Sequence, residues 1–280
     1  MVRSMCVCML VFMVFLNTTT GFAEPSGLSP QTPSEGSEEP SEPTAAAAWV
    51  REHDAASTRG ILSGRAETLP EGDFLLSNDQ VLFPGLGYGF TERFQLNALV
   101  LIPTGSLNMV LLTGKYVLSR TDNTVISVGG NMVWAQAPDT SEATRGEEGF
   151  VAMFGGPSLW IDHYLGDGTL ALHGAIDSAL LVVGGETLDT VALAAEAAAR
   201  ISGGLTLKAS DGVRLMTEWT SGTFYTSSEG LETPGALFNY GIRFHGPTVA
   251  GDVAFLKPLG HGSDEVYAIG LPYVRLAVRF

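Results

Sequence analysis

At the end of the chain Val274, Leu276, Val278 and Phe280 alternate with Tyr273, Arg275, Ala277 and Arg279. Period two with that contrast predicts a strand having one apolar and one polar face. The pattern recurs upstream. Phe238, Tyr240, Ile242 and Phe244 oppose Asn239, Gly241, Arg243 and His245, and Val213, Leu215, Thr217 and Trp219 oppose Arg214, Met216, Glu218 and Thr220. Leu170, Leu172 and Ile176 oppose Ala171, His173 and Asp177; Phe94, Leu96 and Ala98 oppose Gln95 and Asn97; Ile126, Val128 and Met132 oppose Ser127 and Asn131. Residues 191–208 alternate too. Their alanines suit a helix by propensity, but Gly203-Gly204 followed by Leu205 and Leu207 keeps the two-residue register, so a strand is expected.

Connections alternate between tight and long. Short turns are expected near residues 91–92, 119–123, 165–168, 209–212 and 246–248, with longer links between them, as in a membrane barrel with tight turns at one end and external loops at the other. Residues 73–90 read as one strand. Parity then requires another before it, and residues 59–69 are the candidate, with Pro70-Glu71-Gly72 as the turn. The expected fold is all-β, a closed antiparallel transmembrane β-barrel of twelve strands, with ten as second choice. Only a closed sheet crosses hydrocarbon with its backbone paired. The inward set reads as Gly, Ala, Ser, Asn, Thr and some charges, too small and polar for a dry core. Trp134, Trp160, Trp219, Tyr88, Tyr116, Tyr164 and Phe280 are expected at strand ends, as girdles. A soluble β-sandwich or lipocalin-like barrel is the competing architecture.

The ends refine this picture. Residues 1–23 read as a signal peptide: Arg3, an apolar core, then Gly21-Phe22-Ala23 before Glu24. Cys6 and Cys8 lie inside it, so the mature chain offers no thiol. Residues 24–57 read as an acidic Pro/Ser/Glu-rich disordered segment ending in a short Ala-rich helix. It is either a spacer or a small plug or partner-binding peptide, and residues 58–280 are the barrel. With 30 acidic against 15 basic residues, nucleic acid is excluded as a partner.

The leader, the alternation and the terminal Leu276-Ala277-Val278-Arg279-Phe280 resemble a bacterial outer-membrane β-barrel protein of an uncharacterised porin-like family. The segment from Gly85-Leu86-Gly87-Tyr88-Gly89-Phe90 through Thr91-Glu92-Arg93-Phe94 is similar to hairpins of such proteins. The resemblance implies an outer-membrane location with the N-terminal segment in the periplasm. It implies outer-membrane lipid, periplasmic chaperones and the barrel insertion machinery as partners, with Leu276, Val278 and Phe280 as the insertion signal. A monomer is expected.

The inward register predicts lumen-lining charges at Lys115, Asp177, Glu196, Arg200, Arg214, Glu218, Arg243, Asp252, Lys257 and Arg275, with His173 beside them. In a pore they would hydrate a channel for small solutes or ions; in a structural or adhesive barrel without transport they would pair across the interior. An outer-membrane lipid hydrolase would need a serine, a base and an orienting acid within reach. Ser158, Asp162 and His163, or His173 with Asp177, are the loose candidates, and no catalytic residue is assigned. His53, His163, His173, His245 and His261 are scattered, so neither metal nor cofactor is expected. An incidental ion would sit at Glu142, Glu147 and Glu148, or at Asp264 and Glu265.

Overall fold

The computed structural model describes residues 45–101, 108–137, 150–166, 168–185, 191–226, 230–232, 235–259 and 269–280. The leader, the tail through residue 44 and the acidic stretches 138–149 and 260–268 lie outside the described residues. A helix, α1 (Ala45–His53), comes first, on the Ala-rich run and with Arg51 and His53 in its last turn, where cations suit the helix dipole. Thirteen strands follow: β1 (Phe74–Asp79), β2 (Phe83–Thr91), β3 (Phe94–Val100), β4 (Asn108–Arg120), β5 (Thr124–Ala137), β6 (Phe150–Leu165), β7 (Leu170–Gly185), β8 (Val191–Ser210), β9 (Val213–Thr226), β10 (Gly230–Glu232), β11 (Ala236–His245), β12 (Val249–Leu259) and β13 (Leu271–Arg279).

Each strand pairs antiparallel with its neighbour, β8 pairs with β9, and β13 returns to β1 through Leu76 opposite Val278. The three-residue β10 only extends the edge of β9, so the wall is a closed barrel of twelve strands. Three of the register irregularities, at Gly89/Thr91, Val117/Ser119 and Lys208/Ser210, adjoin tight turns, where a bulge bends the strand into the turn.

Twelve is reached by a different route from the one the alternation predicts. Residues 59–69 form no wall strand; their bridge is internal, Arg59 to Gly64. The missing strand comes from residues 73–90, which fold back at Gln80-Val81-Leu82 into β1 and β2. Gln80 and Val81 take φ of 58° and 65° there. That conformation is unfavourable for a β-branched residue, so no glycine or asparagine marks the turn.

Leu96, Ile176, Phe244 and Leu276 are exposed as the alternation predicts, and so are Leu76, Leu112, Ile201 and Val253. This continuous apolar exterior around a closed sheet is that of a transmembrane-type barrel. Phe74, Tyr88, Phe90 and Phe94 form an outward aromatic row near the tight-turn end, ring centroids 4.5 to 5.7 Å apart in succession. Two supposed girdle residues belong elsewhere. Trp160 is 1% exposed and Tyr164 0%, both inside with Ala66, Val117 and Val125. The inner face is also less uniformly small and polar than expected: Phe83, Leu99, Leu101, Met109, Leu111, Val133 and Ala135 pack together inside, toward the long-loop end.

Candidate functional site: a lumen occupied by the chain's own N-terminal segment

The segment between α1 and β1 lies inside the barrel, entering and leaving at the tight-turn end. α1 is fixed there by the wall's last residues. Arg279 donates to the carbonyls of Arg51 and Glu52, the latter at 2.7 Å. Ala55 N–H donates to Gly246 O at 3.0 Å, the His53 carbonyl lies 2.9 Å from His245 Nδ1, and Arg51 pairs with Glu92.

The descending limb meets β11. Asp54 accepts from Arg243 Nη1 at 3.2 Å and from its own Ala56 N–H at 2.9 Å. Arg243 also donates to the carbonyls of Ala56 and Arg59, at 2.9 and 3.0 Å, while holding Asp252 of β12 at 2.7 Å. Arg275 of β13 donates to Gly60 O at 2.6 Å and pairs with Asp252. Burial pushes the Asp54 carboxyl up, but Arg243 and Arg214 outweigh it and hold the group below its ordinary value.

At the apex Gly60 N–H donates to Ser63 O at 2.9 Å, closing a turn whose amides converge on Glu218 of β9. The N–H groups of Ile61, Leu62 and Ser63 each donate to that carboxylate at 3.1 Å, and Ser63 Oγ donates at 2.7 Å. His173 Nε2 stands 3.7 Å from it. Gly64 is required by close approach: a Cβ there would meet Trp160 Nε1 at 2.7 Å.

The ascending limb meets β3 to β6. Arg65 Nε and Ala66 N–H both donate to Asp162 Oδ2 at 3.1 Å. Lys115 lies 5.7 Å from the Trp160 ring centroid and donates to the carbonyls of Arg65, at 2.7 Å, and Glu67. Glu67 accepts from Arg120 at 3.0 Å, and burial, only partly offset by that guanidinium, raises its carboxyl. Leu69 N–H donates to Gln95 Oε1 at 2.8 Å before the chain leaves for β1.

A cavity of about 40 Å³ remains beside the apex, lined by Leu62, Asp79, Asn97, Leu111, Lys115 and Trp160 among others. It has room for a few waters and no more.

Lys115, His173, Asp177, Arg200, Arg214, Glu218, Arg243, Asp252 and Arg275 are all buried inside the wall. Most of them address the plug; Asp177 instead holds Arg200, at 2.6 Å, and accepts from Ser158. Glu196 lies on β8 opposite Leu181, its side chain outside the described residues. Lys257 does not belong to the lumen: it shares the outward register of Val253 and Phe255, opposite Phe238. The plug residues Asp54, Arg59, Arg65 and Glu67, and the wall residues Asp79 and Asp162, escape the alternation reading, which puts Arg279 on the polar face without counting it among the lumen charges. For Asp162 the signal is present, since it shares the inward parity of Ser158, Trp160 and Tyr164.

Ser158 and Asp162 point inward, whereas His163 is outward and bonded to Thr124 Oγ1 at 2.8 Å. A serine–histidine–acid array is therefore not assembled from Ser158, Asp162 and His163. No set of three or more His, Cys, Asp or Glu is grouped for a metal among the described residues.

Comparison with solved structures returns outer-membrane barrels. A loop-deletion form of OmpT, an outer membrane protein of Vibrio cholerae, is 11% identical, over 71% of this chain and 62% of that one, with a TM-score of 0.39. The KdgM porin in complex with disordered oligogalacturonate is 10% identical over 74% and 96%, TM-score 0.44; the CymD monoaromatic hydrocarbon channel is 9% identical over 85% and 96%, TM-score 0.43. This chain thus spans under two thirds of OmpT. No family model matches it, and no curated protein matches it. Scores this low add nothing to the fold, which stands on the closed strand ladder.

Proposed function

We propose that the protein is an outer-membrane pore for small solutes held closed by its own N-terminal segment, residues 54–69, and opened when that segment leaves the lumen. One observation carries the reading. The wall's buried charges at Lys115, Asp162, Glu218 and Arg243 are directed at a segment that enters and leaves by the same end. Without it they would line a mixed-charge lumen that takes up water. In this reading the tight-turn end faces the periplasm and lipid covers a monomer. Leu276, Val278 and Phe280 serve the insertion machinery after passage by periplasmic chaperones. A structural barrel without transport is the second reading, favoured by the small cavity beside the apex, about 40 Å³.

Planar-bilayer recording separates them. The full chain is expected to be closed most of the time, with brief ohmic steps. Ile61→Asp puts a carboxylate into the apolar cluster of Met216, Leu237, Leu256 and Tyr273 without altering the wall, and is expected to raise the open fraction at least tenfold. An Ile61→Asp protein that stays silent, although a thiol placed at residue 62 becomes reactive and so reports the segment displaced, would hand the case to the structural reading.

A further inference from the structure

Much of the wall's contact with the plug is to its main chain, beside side-chain pairs at Asp54, Arg65 and Glu67. Glu218 accepts the N–H groups of Ile61, Leu62 and Ser63, Asp162 that of Ala66, and Gln95 that of Leu69. In the other sense, Lys115 donates to the carbonyls of Arg65 and Glu67, Arg243 to those of Ala56 and Arg59, Arg275 to that of Gly60, and Ser127 to that of Ala66. Buried backbone groups must be paired by something, and neutral Ser or Asn side chains would do so for a permanent plug with less desolvation. Here most of the partners are ionised. Acceptors for amide N–H stand on β3, β6 and β9, and donors for amide carbonyls on β4, β5, β11 and β13.

We propose that the solute of the opened lumen is a short peptide, whose main chain takes the places the plug's main chain leaves. This rests on the plugged-pore reading above. A peptide presents N–H donors and carbonyl acceptors in alternation, and its two termini carry the charges that Glu218 and Asp162 on one hand and Lys115 and Arg243 on the other complement. A sugar hydroxyl, at once donor and acceptor, does not discriminate between these groups, and an inorganic anion leaves the carboxylates unpaired. Width is sufficient, because the plug passes through the lumen twice, down and back, and one extended chain needs less.

The test uses the full-length Ile61→Asp protein in planar bilayers, with tetra-alanine and maltotriose as probes at equal millimolar concentration. Tetra-alanine is expected to interrupt the current with at least tenfold higher affinity than maltotriose. Adding Lys115→Gln and Asp162→Asn is expected to abolish that preference by weakening the block by tetra-alanine, with the block by maltotriose as before. Equal block by the two probes would overturn the peptide assignment and leave the pore standing; a silent channel with a displaced plug would overturn both. A second measurement keeps the native plug. In a Leu62→Cys chain begun at Glu24, which has no other cysteine, tetra-alanine is expected to accelerate maleimide labelling severalfold and maltotriose not at all. Labelling indifferent to the peptide would refute the assignment.

Discussion

The two ends of the lumen are filled by different means. Toward the tight turns, charged wall residues bind the main chain of a segment supplied from outside the wall, whose Ile61, Leu62, Ala66 and Leu69 also pack on apolar wall residues such as Met216, Leu256, Trp160 and Leu75. Toward the long loops, Phe83, Leu99, Leu101, Met109, Leu111, Val133 and Ala135 pack on one another along β2 to β5. Apolar side chains gain by leaving water and need no partner; these belong to the wall and separate only if strands do. The charged groups can exchange the plug for water, while Ile61, Leu62 and Leu69 would lose the apolar cover of the wall. The difference teaches that one half of the interior is suited to change and the other to stay.

The sharpest way to break that contrast is to damage each half and read both. Glu218→Ala leaves three plug amides and the Ser63 hydroxyl without their acceptor. The expected loss is about 3 kcal/mol of plug docking, roughly a hundredfold in labelling at Leu62→Cys, with the barrel's melting unchanged. Leu111→Ala should do the converse, costing the barrel about 2–4 kcal/mol as a core cavity does while labelling stays as it was. If Glu218→Ala melts the barrel, or Leu111→Ala exposes the plug, the halves are not independent.

A smaller effect is expected from Gly64→Val. Its Cβ would sit 2.7 Å from Trp160 Nε1 and 3.2 Å from Cε2, and relieving such a clash costs about 1–3 kcal/mol. Labelling at Leu62→Cys should rise about tenfold or more, and Trp160→Phe, which removes the indole nitrogen, should recover part of the loss.

Acidity should act through two plug carboxyls of opposite sign. Asp54 is held below its ordinary value of 3.8, so its stabilisation of docking is complete above that value and fades as pH falls toward the docked pKa. Glu67 is raised above its ordinary 4.5, so its docked form binds the extra proton; its contribution is present at low pH and is lost as pH rises from 4.5 through the docked value. Labelling of the native plug, taken relative to a free cysteine peptide at the same pH, is expected to quicken both in acid below about pH 4 and as pH rises from 4.5. With Asp54→Asn the acid limb should vanish and only the rise above pH 4.5 should remain. A profile unchanged by that substitution would show that Asp54 does not hold the plug.

How far the sequence carries this picture depends on what each feature needs. Wall strands need only period two, and Val274 to Phe280, Phe238 to Phe244 and Val213 to Trp219 display it because lipid on one side and lumen on the other impose it on every residue. The inward parity of Lys115, Glu218, Arg243 and Arg275 was legible for that reason. The β1–β2 turn was not, since Gln80-Val81 adopts positive φ without a turn residue, held by β1 pairing with β13 on its other edge. Nor was the place of residues 59–69. Ile61 beside Leu62, between Gly60 and Gly64, breaks the two-residue period, but a break in pattern does not say where the segment goes; its partners are as much as 215 residues away in sequence.

The smallest expected effect bears on the boundary between lumen and lipid. Lys257 shares its face with Val253 and Phe255, near the end of β12. A lysine there can lay its methylenes along the apolar exterior and bring its ammonium to the interface. Lys257→Gln is accordingly expected to change barrel stability by no more than about 0.5 kcal/mol and to leave plug labelling and open-channel current as they were. The same substitution at Lys115, which donates to the Arg65 and Glu67 carbonyls, should release the plug. Two lysines that look alike in the alternation thus differ by the face they occupy, and a Lys257→Gln protein with altered current would return that residue to the lumen and put the β12 register in error by one.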